Sequence, residues 1–138
     1  MAQAQTILAL GAIVLFMITA LNVNRNYVRG VKQNLDQQKY INAINYGQTI
    51  AGGIYSQVNN YDNIEDVYGD YDDVTDPARR LQTVTSLNDT LFATVALSGE
   101  EVLVHGTNGK KATITVYELV GADYRQRAQY VTAITPIN

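Results

Sequence analysis

The hydrophobic pattern of this chain changes character three times. From Ala2 to Val23 the sequence AQAQTILALGAIVLFMITALNV carries no charge, and Ile7–Leu21 is apolar except for Thr19. At 1.5 Å per residue Ile7–Leu21 covers roughly 22 Å, short of the ~30 Å hydrocarbon core of a bilayer, whereas Ala2–Val23 covers roughly 33 Å. Beyond Asn26 the apolar residues thin to a stripe, Val28, Val31 and Leu35, then Ile41, Ile44, Ile50, Ile54 and Val58, which approximates helical spacing. No Pro occurs before Pro77, so one long helix is predicted, weakened at Gly47, Gly52 and Gly53. Asn59–Pro77 has no apolar periodicity and reads as an acidic linker. After it the period falls to two: Leu91, Ala93, Val95 and Leu97 alternate with Phe92, Thr94 and Ala96. Val102 and Val104, then Ala112, Ile114 and Val116, then Tyr130, Thr132 and Ile134 continue this pattern, with Leu81–Thr85 as a further candidate strand. Asn108-Gly109 and Gly121–Arg125 are the expected turns, Lys110 and Lys111 falling at a hairpin tip.

The predicted fold class is therefore α+β. A long N-terminal α-helix, apolar in its first third, packs by its C-terminal half on a small antiparallel β-sheet. The chain divides into an apolar membrane or filament-core segment (1–24), an amphipathic continuation of the helix (25–59), an acidic Tyr-rich loop (60–78) and a sheet domain (79–138). From the helix continuation, Ile44, Ile50, Ile54 and Val58 are expected beneath the strands Leu91–Leu97, Ala112–Val120 and Ala128–Ile134. Arg79, Arg80, Arg125 and Arg127 are expected to face outward.

Charge bears on orientation. A secretory signal peptide needs a basic start, and Met1–Thr6 holds no Lys or Arg. Arg25, Arg29 and Lys32 follow the apolar run, and by the positive-inside rule they would leave the domain in the cytoplasm. The favoured alternative is a mature product whose short basic leader was removed just before Met1. A net charge of −3 and a pI near 4.9 argue against nucleic acid as a partner. The chain has no Cys, hence no disulfide or thiolate site, and its ten Tyr suit wetted interfaces.

With Met1 at the start, TILALGAIVLFMITAL at Thr6–Leu21, the helix through Gly47–Gly53, the acidic YGDYDDVTD and the terminal strands, the chain resembles a type IV pilin or a pseudopilin of a type II secretion system. The likeness implies a structural subunit of an extracellular helical filament at the cell surface. Its partners would be copies of itself, the inner membrane before assembly and a pilus assembly machinery. The residues it assigns to assembly are Met1, Gln5, Ile7, Leu8, Leu10, Gly11, Ile13, Val14, Leu15, Phe16, Ile18 and Leu21. Ala2, Ala4, Ala9, Gly11, Ala12 and Ala20 would allow close helix approach. Two departures stand out. Pilins usually carry Glu where this chain has Gln5, whose amide can accept a hydrogen bond from a terminal ammonium without pairing its charge. They often carry Pro near the end of the apolar segment, where Leu21-Asn22-Val23-Asn24 has none. A single-pass anchored extracytoplasmic binding or adaptor module is the competing reading.

Enzymatic chemistry finds little footing. His105 is the sole His, beside Gly106 at an expected strand end, and Ser56, Ser86 and Ser98 have no neighbouring base in sequence. Asp70, Asp72, Asp73 and Asp76 are the candidate ligands for Ca²⁺, the one cofactor considered, although Val74 breaks the EF-hand spacing. A solvated acidic loop is the favoured alternative. The loop is also expected at a contact with Arg79, Arg80 or Arg125 of a neighbouring copy. Asn88-Asp89-Thr90 matches the N-glycosylation triplet.

Overall fold

A computed structural model describes residues 1–103 and 106–136 of the chain. The elements in order are helix α1 (Ala2–Ser56), a 3₁₀ turn (Val58–Asn63), helix α2 (Ile64–Tyr68), a second 3₁₀ turn (Pro77–Arg79) and five strands. The strands are β1 (Leu81–Val84), β2 (Thr90–Leu97), β3 (Glu101–Val102), β4 (Asn108–Val120) and β5 (Asp123–Ile134). The fold is α+β, with a long N-terminal helix packed against a five-stranded antiparallel sheet. The chain separates into two compact units, Met1–Gln38 and Lys39–Asn138.

The second unit holds the core. Every strand pair is antiparallel; β4 is central, with β2 and β5 paired along it, β1 on β2, and β3 on its first two residues. Because side chains alternate across a strand, Leu91, Ala93 and Val95 share a buried face with Ala112, Ile114 and Val116. From α1, Ala43, Gly47, Ile50, Ala51 and Ile54 bury against that face, at the i, i+4, i+7, i+8 and i+11 spacing of one helical stripe. Ile50 and Ile54 are where the pattern predicts. Ile44 and Val58 are only half-buried. The stripe is rotated toward small residues because they bring helix and sheet close: a Cβ added at Gly47 would lie 3.6 Å from Tyr130 and Val116.

Segment 60–78 is less loop-like than its composition suggests. Tyr61 and Ile64 anchor it in the core, and the Lys110 ammonium sits 5.0 Å from the Tyr61 ring centroid and 3.4 Å from Glu65. Lys110 is thus a buried strand residue and not a hairpin tip. Asn108-Gly109 likewise opens β4 instead of turning. A Cβ at Gly109 would collide with the Ile134 carbonyl and the Leu103 side chain, so strand packing, not turn geometry, requires glycine there. The Gly121 turn does exist, with φ +68°, the left-handed conformation glycine adopts freely. Val104 and His105 lie outside the described residues.

Two arginines expected at the surface are engaged inside the domain. Arg80 stacks over Phe92, 4.2 Å from the ring centroid, and donates to the Val74 carbonyl at 3.0 Å and to the Tyr124 hydroxyl. Phe92 meets Tyr124 edge-on at 5.4 Å, so Arg80 staples segment 74–80 onto the sheet. Arg127 is the extra residue at a β-bulge: Val116 pairs Ala128 and Tyr117 pairs Gln126, leaving Arg127 unpaired in the ladder. The bulge aims its guanidinium at Glu118. Arg79 and Arg125 are exposed, as expected.

Candidate assembly surface

The first unit is helix alone, and every residue from Met1 to Arg29 is exposed. All twelve residues assigned to assembly lie on this surface: Met1, Gln5, Ile7, Leu8, Leu10, Gly11, Ile13, Val14, Leu15, Phe16, Ile18 and Leu21. The exposure is deep: Leu8 is 73% and Phe16 75% accessible. Apolar side chains project on all sides, since a run interrupted only by Thr19 has no solvent face. The helix is long and apolar enough, by length and composition, to cross a membrane, and a signal sequence would meet the same criterion.

The polar residues within the run are largely silenced. The Thr6 hydroxyl donates to the Ala2 carbonyl at 2.9 Å and the Thr19 hydroxyl to the Leu15 carbonyl at 2.8 Å. Such bonds to the preceding turn let Thr enter an apolar medium without an orphaned hydroxyl. Among the described residues the Gln5 amide has no side-chain partner, so it keeps its capacity to bond outward. Gly11 has no atom outside its own turn within 4 Å and leaves a notch open to another helix.

Magnitudes decide what this surface needs. Fully burying a large apolar side chain is worth about 1.5–3 kcal/mol. Ten such residues, Ile7 to Leu21, represent well over 10 kcal/mol of unfavourable exposure per copy. No surface ion pair, at ~0–1 kcal/mol, competes with that. Lipid or the apolar helices of other copies would satisfy it.

The acidic segment behaves differently from the metal site considered from sequence. Asp72 pairs with Arg79, and Asp73 accepts from both the backbone N–H and hydroxyl of Thr75, at 2.9 and 2.7 Å. The Thr75 bonds, chiefly the one from its hydroxyl, hold the Asp73 carboxyl below the ordinary carboxylate range. Asp76 caps the second 3₁₀ turn by accepting from the Ala78 N–H at 2.9 Å, and Asp70 is exposed. Three of the four candidate Ca²⁺ ligands thus make local contacts within the segment, and Asp70 is the fourth. Among the described residues no group of three or more His, Cys, Asp or Glu side chains is placed to hold a metal ion. Asp72, Asp73 and Asp76 are engaged in the segment's own turns.

No family model, curated protein or solved structure matches this chain. The likeness to pilins therefore rests on architecture and on the first 25 residues. Asn88 occupies the left-handed region, φ 61°, in an exposed turn closed by Thr85 and Asp89. An acceptor triplet in that setting is accessible from solvent. What sequence reasoning missed is a polar cluster in the second unit. Lys39 lies 2.8 Å from Glu118 and 3.5 Å from Asp89, and Arg127 closes on Glu118 from the bulge. The only sequence signal was a Glu at a position whose strand alternation calls for an apolar residue: Glu118 follows Ala112, Ile114 and Val116 on the buried face.

Proposed function

We propose that this chain is a structural subunit of a helical filament of the type IV pilin kind, held together by its N-terminal apolar helices. The observation that carries the reading is the uncharged, fully exposed helix surface from Met1 to Asn24, joined in one chain to a helix-on-sheet domain. Small residues at Ala2, Ala4, Ala9, Gly11, Ala12 and Ala20 fit close helix packing, as in membranes. The membrane hosts the helix before assembly, and a bundle of identical helices receives it afterwards. Head-to-tail contacts of this sort do not close on themselves and so grow an open polymer at the cell surface.

The test is deletion of Met1–Asn24. A filament subunit loses assembly completely, whereas an anchored adaptor module keeps full function as a monomer. Retention of function by the shortened chain, with no filaments from the intact one, overturns the proposal.

A further inference from the structure

The chain has ten cationic side chains, and six are engaged within it. Lys39 and Arg127 hold Glu118, Arg79 pairs with Asp72, and Arg80 is stacked on Phe92. Lys110 reaches Glu65, and Lys111 reaches Glu101 at 3.4 Å. Among the described residues four cations have no partner, namely Arg25, Arg29, Lys32 and Arg125. Three of these stand at i, i+4 and i+7 of α1 and so form one stripe, which ends at i+11 on the exposed acid Asp36. Val28, Val31 and Leu35, each 44–48% accessible, accompany them.

Lipid does not account for the far end of this face. If Ala2–Val23 takes up the roughly 33 Å of a hydrocarbon core, Lys32 lies roughly 13 Å further along the helix and Leu35 roughly 18 Å. That is past the interfacial layer, which extends only about 5–8 Å on each side. Val31 and Leu35, roughly 12 and 18 Å past Val23 and beside the unpaired Lys32, lie outside the bilayer and call for a protein surface that is itself part apolar and part acidic.

The second unit carries such a surface. Glu65, Gly69, Asp70 and Asp72 line a groove of about 440 Å³ together with Val95, Ala96 and Leu97 of β2. β1 pairs β2 only as far as Ala93; beyond it the Val95 N–H donates to the Tyr71 carbonyl at 2.7 Å, so the groove lies where segment 69–72 meets the end of β2. Asp62 and Asp66 add exposed charge on the adjoining turn and α2. Among the described residues, only Glu65 and Asp72 of these five acids have a cation of their own, at Lys110 and Arg79.

We infer that the Arg25–Val28–Arg29–Lys32 face of one copy docks in the Glu65–Asp70–Leu97 groove of a second copy. The inference rests on the filament reading and specifies one of its contacts. Stripe and groove are different surfaces, so the contact is heterologous and propagates. It sets register, while the apolar segments supply the strength. Of the three arginines anticipated from sequence for a contact with the acidic segment, Arg79 and Arg80 are already committed within their own chain, whereas Arg125 is exposed.

The experiment uses the full-length chain, whose lack of Cys gives a clean background. Arg29→Cys and Asp70→Cys are combined in one chain, and a short bis-maleimide is added after assembly. The expected result is a ladder of covalent dimers, trimers and longer species, with each single variant staying monomeric on a denaturing gel. Filaments without a ladder, or dimers from Arg29→Cys alone, overturn the inference and leave the filament reading intact. Absence of any polymer from the unmodified chain overturns both. As a second arm, Arg29→Glu with Lys32→Glu raises the concentration needed for assembly about tenfold, as expected for losing exposed pairs and adding repulsion. Asp66→Lys with Asp70→Lys restores it. If the reversal instead weakens binding to anionic vesicles and leaves assembly unchanged, the stripe belongs to lipid headgroups and the inference falls.

Discussion

Lys39 on the helix and Glu118 on the central strand meet at 2.8 Å across the boundary between helix and sheet. Their carboxylate–ammonium contact stands where the apolar core ends, because Glu118 continues the buried face of β4 one step past Val116. Only 10% of the Glu118 side chain is exposed, and Arg127 supplies a second cation. A carboxylate so placed is tolerable only while both donors remain.

Removing that charge should cost the domain stability. Glu118→Gln leaves Lys39 and Arg127 facing a neutral amide, a loss of about 3 kcal/mol for a buried pair broken on one side. Thermal unfolding should show a Tm lower by roughly 10 °C or more. A change under 2 °C would mean that solvent screens the cluster.

The same cluster predicts a pH window. Burial pushes the Glu118 carboxyl up, but hydrogen bonds from Lys39 and Arg127, with their charges, outweigh it and hold it below its ordinary 4.5. A carboxylate with a depressed folded pKa stabilises fully above its unfolded value, and that contribution is lost as pH falls through the folded one. The Lys39 ammonium is raised above 10.5, chiefly by its hydrogen bond to Glu118, so its share is full below that value and disappears at more alkaline pH. Unfolding followed from pH 2 to 8 should show stability falling below about 4.5 in the native chain, with a shallower fall in Glu118→Gln. Identical acid limbs would remove Glu118 as the cause.

Gly109→Ala should be destabilising by about 1–3 kcal/mol, because the new methyl group overlaps Ile134 and Leu103 where β4 meets the end of β5. Ala at a true hairpin turn with open space would not meet such a contact. Chemical denaturation of the two chains separates these cases, and equal midpoints would contradict the packing.

How far the sequence carried is clearest at such positions. Leu91, Ala93 and Val95 were legible as one sheet face, since a period of two admits only one inward set. The change from helix to sheet was legible for the same reason. Gly109 was not, because Asn-Gly is a turn signal locally and its real constraint comes from Leu103 and Ile134. Ile44 and Val58 outrank Ala43 and Gly47 on hydrophobicity, yet close approach to Val116 selects the small residues. Arg80 and Arg127 look like surface charges until Phe92 stacks on one and a bulge redirects the other. Of the candidate site, the apolar helix surface was fully legible from composition. The turns of the acidic segment were not, because Thr75, Ala78 and Arg79 engage Asp73, Asp76 and Asp72 through local contacts that composition does not reveal.

Calcium should therefore leave the domain unchanged. Millimolar Ca²⁺ or a chelator is expected to move the Tm by less than 1 °C. A saturable upward shift, abolished by Asp72→Asn, would show that Asp70–Asp76 rearranges to bind the ion.

Gln5→Leu should weaken assembly only by about 1 kcal/mol per contact, the net worth of one hydrogen bond. The concentration needed for polymerisation would rise about fivefold. Complete loss of filaments would make Gln5 a register device as critical as the Glu that pilins carry there.

The central claim is that apolar helices, not charges, hold copies of this chain together. It is tested most directly by electron microscopy of material sheared from cell surfaces, examined in 1 M salt and again in detergent. Salt at that strength shortens the Debye length to ~3 Å and removes most surface electrostatics, while detergent competes for the apolar surface. Regular filaments that survive salt and come apart in detergent are the predicted result. Filaments that dissolve in salt and resist detergent, or no filaments in either, would contradict it.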